Sequence, residues 1–160
     1  MYDKCAGVEM LSSYDEQHTH ASVRISIADG VATVRLCGST KPLHWLHHFF
    51  PGAARREINA GREVAHNILI HQPHTVKIHG YSLGGSIGHV AATILHELGV
   101  QSELETIGTK RPPTGYNYLP AINYRNRGDW VPFIPPWRDK IDTIKTSNPW
   151  RPIWSAHANY

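Results

Sequence analysis

Apolar and polar residues change rhythm several times along this chain. From Ser22 to Ala28 they alternate with a period of two (Val23, Ile25, Ile27), and a second strand-like run follows from Val31 to Cys37. Asp29-Gly30 between them adopts left-handed backbone readily, so the two runs predict a β-hairpin. From Ala53 to Ile70 the rhythm becomes helical. Ile58, Gly61, Ala65, Ile68 and Leu69 share one face, which predicts an amphipathic helix. A short apolar run from His74 to His79, with Val76 and Ile78, predicts a strand, and Leu83 to Leu98 is again helical, with Gly99 placed to cap it. Gln101 to Ile107 and Ala121 to Asn126 read as strands, separated by a Pro/Gly/Tyr loop from Gly108 to Tyr118. Met1 to Tyr14 has Val8, Leu11 and Tyr14 at helical spacing, and Trp45 to Phe50 is an aromatic segment stopped by Pro51-Gly52. The stretch from Asp129 to Asn148 is rich in Pro and Trp, with a strand near Ile141 to Ile144.

Strand, helix and strand in alternation predict an α/β fold: a three-layer sandwich whose central mixed sheet is mostly parallel after an antiparallel N-terminal hairpin. The 160 residues make one domain, with no repeat and no linker. No stretch approaches the ~20 consecutive apolar residues of a membrane span. The first residues lack the basic start and apolar run of a secretory signal. The chain is therefore expected to be cytoplasmic, or released without a signal peptide, as in a bacterial or phage protein. A net charge of +3 with scattered Lys and Arg leaves no nucleic-acid footprint. It allows at most peripheral contact with an anionic membrane, and no obligate protein partner is implied. Two cysteines, Cys5 and Cys37, fit a reduced compartment better than a disulfide scaffold, and whether they are bridged is left open. Among twelve histidines, His18/His20 and His44/His47/His48 are close enough to suggest ligands, but no Cys or carboxylate completes a metal set. No metal is expected.

The stretch Gly80-Tyr81-Ser82-Leu83-Gly84-Gly85 carries the candidate chemistry. It reads Gly-x-Ser-x-Gly between a predicted strand and a predicted helix, the layout of a nucleophile elbow, in which a sharp turn exposes the serine hydroxyl. The helix behind it aims free backbone amides at the place where negative charge develops in acyl transfer. Gly84, Gly85 and Gly88 weaken that helix by about 1 kcal/mol each, a cost that makes sense if it must approach the sheet closely. A serine hydroxyl needs a base, normally a histidine held in one tautomer by a carboxylate. In elbow hydrolases the chain order is Ser, then Asp or Glu, then His. After Ser82 the acids are Glu97, Glu103, Glu105, Asp129, Asp139 and Asp142. Asp129 directly follows a strand, at the carboxyl edge where sites of open α/β sheets gather, and is the best geometric choice. The only histidine beyond it is His157.

These residues bring out a resemblance to the class 3 lipases, the fungal triacylglycerol lipase-like group of the α/β-hydrolases. Ile78 to Gly85 resembles the family's elbow, with Tyr81 in place of the usual His. Asn126-Arg127-Gly128-Asp129-Trp130-Val131-Pro132, trailed by Pro135-Pro136, resembles its acid segment. Leu36-Cys37-Gly38-Ser39 with Trp45-Leu46 resembles its oxyanion stretch, with Cys37 in place of an Arg, and Thr106 to Pro112 is a fainter match. The resemblance implies Ser82 as nucleophile, Asp129 as orienting acid and His157 as base. It also implies an oxyanion hole from the backbone amides of Ser39 and Leu83. Trp45, Tyr81 and Trp130 are the expected substrate contacts. Trp130, Trp137, Trp150 and Trp154 either pack the loops over the core or line an acyl pocket. The implied activity is hydrolysis of lipid or small acyl esters without a cofactor. Acyl transfer or thioester cleavage would use the same groups, and a non-catalytic lipase-like binding module is the alternative of another class. Little sequence is spare for a lid, so a compact esterase or lipase without interfacial activation is expected.

Overall fold

A computed structural model describes residues 22–38 and 52–145. Strands β1 (Ser22–Ala28) and β2 (Val31–Cys37) form the expected hairpin, with Ala28 opposite Val31. Asp29 and Gly30 both take positive φ, 51° and 74°, the twist that a two-residue hairpin turn demands. β2 then pairs in parallel with β3 (Thr75–Tyr81), β3 with β4 (Gln101–Ile107), β4 with β5 (Ala121–Arg125), and β5 with the two-residue β6 (Ile144–Lys145). Among the described residues the sheet is thus six-stranded, in spatial order β1-β2-β3-β4-β5-β6. This is the mixed, mostly parallel sheet that the alternation predicts.

Helix α1 (Ala53–Leu69) connects β2 to β3, and α2 (Leu83–Glu97) connects β3 to β4. The strands march in one direction, so right-handed crossovers put both helices on the same face. That face is built from Val34, Leu36, Val76, Ile78 and Leu104, all at most 3 % exposed. Ala60, Val64 and Ile68 of α1 and Ile87, Ala91 and Leu95 of α2 close over it as one core. Truncating a fully buried member such as Ile78 to Ala would remove about 2–5 kcal/mol. The other face carries a row in register, Arg24, Arg35, His79 and Glu105, beside Lys77 and Glu103. Lys77 Nζ lies 3.8 Å from Glu103, and His79 Nδ1 3.9 Å from Glu105, an ion pair only when the imidazole is protonated. Such exposed pairs contribute at most about 1 kcal/mol. Both helices among the described residues lie on one face; the helix expected over Met1 to Tyr14 and the aromatic segment Trp45 to Phe50 fall outside the described residues.

Element edges move for physical reasons. β3 runs to Tyr81 rather than stopping at His79 because β4 continues beside it, with Tyr81 opposite Ile107. The strand expected near Ile141 to Ile144 shrinks to Ile144–Lys145, since it pairs only with Tyr124 and Arg125 at the sheet edge. Cys37 is disulfide-bonded, which decides the question left open by the sequence, although a reduced compartment suited the two cysteines better. Among the described residues no helix is long and apolar enough to cross a membrane, and no His/Cys/Asp/Glu group could hold a metal ion.

Candidate active site

β3 lies between β2 and β4, so its carboxyl end sits mid-sheet, and Ser82 is the first residue beyond it. Ser82 has φ 54° and ψ −121°, a conformation that costs an L-residue about 1–3 kcal/mol. The surroundings hold it there. The Ser82 N–H donates to the Ile107 carbonyl at 3.1 Å, while the Ser82 carbonyl accepts from Gly85 N–H and from the Thr109 hydroxyl, both at 3.1 Å. This is a strained strand-to-helix elbow, as the motif predicts. The small residues of the motif are sterically required. A Cβ on Gly84 would run into the Leu36 carbonyl, and one on Gly80 would come within 2.5 Å of Gly85 Cα. The elbow helix therefore does approach the sheet closely beneath Ser82.

Gly38, the residue after β2, lies against the elbow. A Cβ there would sit 2.7 Å from Ser82 Cβ and 2.9 Å from the Leu83 nitrogen. Gly38 thus lies directly beside the Leu83 amide, at the head of α2 where the first N–H groups have no partner within the helix. Ser39 itself and Trp45 fall outside the described residues.

Asp129 is 1 % exposed and enters from the far side. It follows β5 through a turn closed by Asp129 N–H to the Asn126 carbonyl at 3.1 Å, and its Oδ1 accepts the Val131 N–H at 3.0 Å. This Asx-type contact starts the short 3-10 helix Val131–Phe133 and fixes the carboxylate's direction. Asp129 also acts on the elbow: burial, and then the Asp129 charge, push the Tyr81 phenol up to about 12. Tyr81 and Ile107 reach a cavity of about 230 Å³ on the charged face of the sheet, with Arg35, Cys37, His79 and Glu105 in its wall. Trp130 is half-buried, whereas Trp137 is 67 % exposed and does not pack over the core. His157, Trp150, Trp154 and the clusters His18/His20 and His44/His47/His48 lie outside the described residues.

Two buried polar sets escaped sequence reasoning. Glu57 of α1, 2 % exposed, accepts Lys110 Nζ at 2.6 Å, Arg138 Nη1 at 2.7 Å and the Ser86 hydroxyl at 2.5 Å. Burial alone would raise its pKa, but Lys110 and Arg138 outweigh that and hold the carboxyl below its ordinary value. Burial lowers the pKa of Lys110 in turn, although Glu57 opposes it. The available signal was a glutamate on the apolar stripe of α1, four residues before Gly61 and eleven before Ile68. The second set centres on His89 in α2. Its Nδ1 accepts the Tyr118 N–H at 3.2 Å, which leaves the proton on Nε2 to donate to Asn123 Oδ1 at 3.0 Å. Burial brings its pKa down to about 4, opposed by the Asn123 bond, so His89 is neutral at pH 7.

By sequence, no protein family and no curated protein matches the chain. By structure it is similar to fungal lipases. A mutant form of MDLA from Penicillium cyclopium superimposes with a TM-score of 0.60 at 15% identity, covering 85% of this chain and 62% of that one. A lipase from Yarrowia lipolytica gives 0.59 at 10% identity, covering 86% and 63%. A lipase from Rhizopus microsporus var. chinensis gives 0.54 at 18% identity, covering 74% and 53%. The chain therefore has the α/β-hydrolase fold of the fungal lipases, and spans less than two thirds of the length of each of these.

Proposed function

We propose that the protein is a serine hydrolase that cleaves carboxylic esters of lipids or small acyl esters. The observation that carries this is the strained Ser82, held at the junction of a central strand and a buried helix with Gly38 pressed against it. Strain of this kind persists only where the surroundings enforce it, and it gathers at reactive groups. The lipase-like fold supports the same reading.

In this mechanism the Ser82 hydroxyl oxygen attacks the ester carbonyl while His157 takes its proton. The carbonyl oxygen becomes an oxyanion facing the amides of Leu83 and Ser39. Collapse breaks the bond to the leaving alcohol, which receives the proton from His157, and Ser82 keeps the acyl group. Water, deprotonated by His157, then releases the acid and restores Ser82. Asp129 holds the imidazole in the required tautomer and stabilises its cation.

Hydrolysis of p-nitrophenyl esters from acetate to palmitate, by wild type and Ser82→Ala side by side, tests the reading. Ser82-dependent turnover is expected, with a rate that rises as a histidine of pKa ~6.5 loses its proton. A flat profile between about pH 5 and 8 would remove His157 as base. Folded wild type that neither turns over an ester nor reacts with a fluorophosphonate would leave a lipase-like binding module instead.

A further inference from the structure

We propose that Glu57 is a positioning residue, whose carboxylate sets the nucleophile elbow and the loop carrying the acid in a common register. This rests on Ser82 as nucleophile and Asp129 as orienting acid.

One carboxylate joins three segments to α1. Through Ser86 it holds the first turn of the elbow helix, four residues after Ser82. Through Lys110 it holds the loop after β4. The neighbouring Thr109 donates its hydroxyl to the Ser82 carbonyl and occupies the space that a side chain on Gly85 would need. Through Arg138 it holds the segment that follows the acid. There Arg138 Nη1 also donates to the Arg111 carbonyl at 3.1 Å, while Arg111 N–H and Nη1 donate to the carbonyls of Ile134 and Pro136, both at 2.8 Å. Only the 3-10 helix Val131–Phe133, whose first N–H binds Asp129, lies between that clamp and the acid.

The chemistry of the cluster fits positioning better than stabilisation. Taking three charges out of water is costly, and apolar residues of similar volume often serve stability equally well or better. Charged hydrogen bonds supply what apolar packing lacks: fixed directions and lengths near 2.6 Å between segments that share no strand pairing. Among the described residues Glu57 bonds to all three partners, so its ionised carboxylate ties the elbow to the acid loop.

The test compares wild type with Arg138→Lys and with the triple variant Glu57→Met, Lys110→Met, Arg138→Met. Melting temperature is measured with kcat and KM on the p-nitrophenyl ester that wild type turns over best. The triple variant is expected to melt at or above wild type with KM within about twofold and kcat down roughly 10- to 100-fold, because small misplacements of reacting groups are that costly. Arg138→Lys keeps the charge but replaces the planar guanidinium, whose Nη1 serves both Glu57 and the Arg111 carbonyl, with a tetrahedral ammonium; its kcat is expected to fall several-fold at unchanged KM. A triple variant with wild-type melting and wild-type kcat would overturn the proposal. So would wild-type kcat in Arg138→Lys, which decides the matter if the triple variant does not fold. Failure of the hydrolase reading shows separately, as wild type that is inactive or Ser82→Ala that remains active, before any of these variants is made.

Discussion

The Thr109 hydroxyl donates to the carbonyl oxygen of Ser82 at 3.1 Å, a bond from the loop after β4 to the residue with the most strained backbone at the elbow. It props open a conformation that the Ser82 backbone would otherwise relax away from. Thr109→Val keeps the volume and removes the donor. About 1 kcal/mol of stability should go with it, and ester turnover should fall more than KM rises. Thermal denaturation and steady-state kinetics on the same preparation check both.

Gly38 offers a sharper steric test. A methyl group there would meet Ser82 Cβ at 2.7 Å and the Leu83 nitrogen at 2.9 Å, closer than atoms of those kinds approach. Either the elbow or the end of β2 must give way. Gly38→Ala is expected to cost about 1–3 kcal/mol as an overpacked site and to lower kcat by roughly 100-fold through misplacement. A variant with unaltered melting and unaltered kcat would show that Ser82 and Gly38 do not meet.

Acid should weaken the fold through His89. Its pKa is about 4 when folded and near 6.5 when the chain is unfolded, so the unfolded state binds more protons between those values. Stability that His89 contributes is complete above pH ~6.5 and is lost as pH falls toward 4, by an amount on the order of 3 kcal/mol. Glu57, whose pKa is also lowered, acts in the same direction but from its ordinary value of 4.5 downward. Of these two groups, only His89 acts in the window between 6.5 and 4.5. Urea midpoints across it should slope steeply for wild type and flatten in His89→Gln.

The disulfide at Cys37 is open to direct measurement. Cys37 sits at the end of β2, immediately before Gly38. Oxidised, denatured protein should take up no alkylating reagent, and reduction should lower the melting temperature. Stoichiometric alkylation without reductant would count against the bond.

Much of the fold was legible in order. Two-residue alternation around Asp29-Gly30 gave the hairpin, and helical spacing from Ala53 and from Leu83 gave α1 and α2 to within a residue at each end. These are local signals, written in periods of two and 3.6 and in turn residues with positive φ. The Gly-x-Ser-x-Gly turn is local only in part: Gly80 is needed by Gly85 a few residues on, whereas Gly84 is needed by Leu36 of β2. The sharp turn at Ser82 is legible in the sequence, while Asp129 is read from its place after a strand.

The tertiary structure decided the rest. Sequence spacing could not show that Gly38 touches Ser82, that Thr109 holds the Ser82 carbonyl, or that Asp129 acts on Tyr81. Nor could it show why Glu57 sits on an apolar stripe: its partners Ser86, Lys110 and Arg138 lie 29, 53 and 81 residues away. Burying a charge is favourable only when distant partners reach it, and that condition is met by the folded backbone, not by any stretch of the chain.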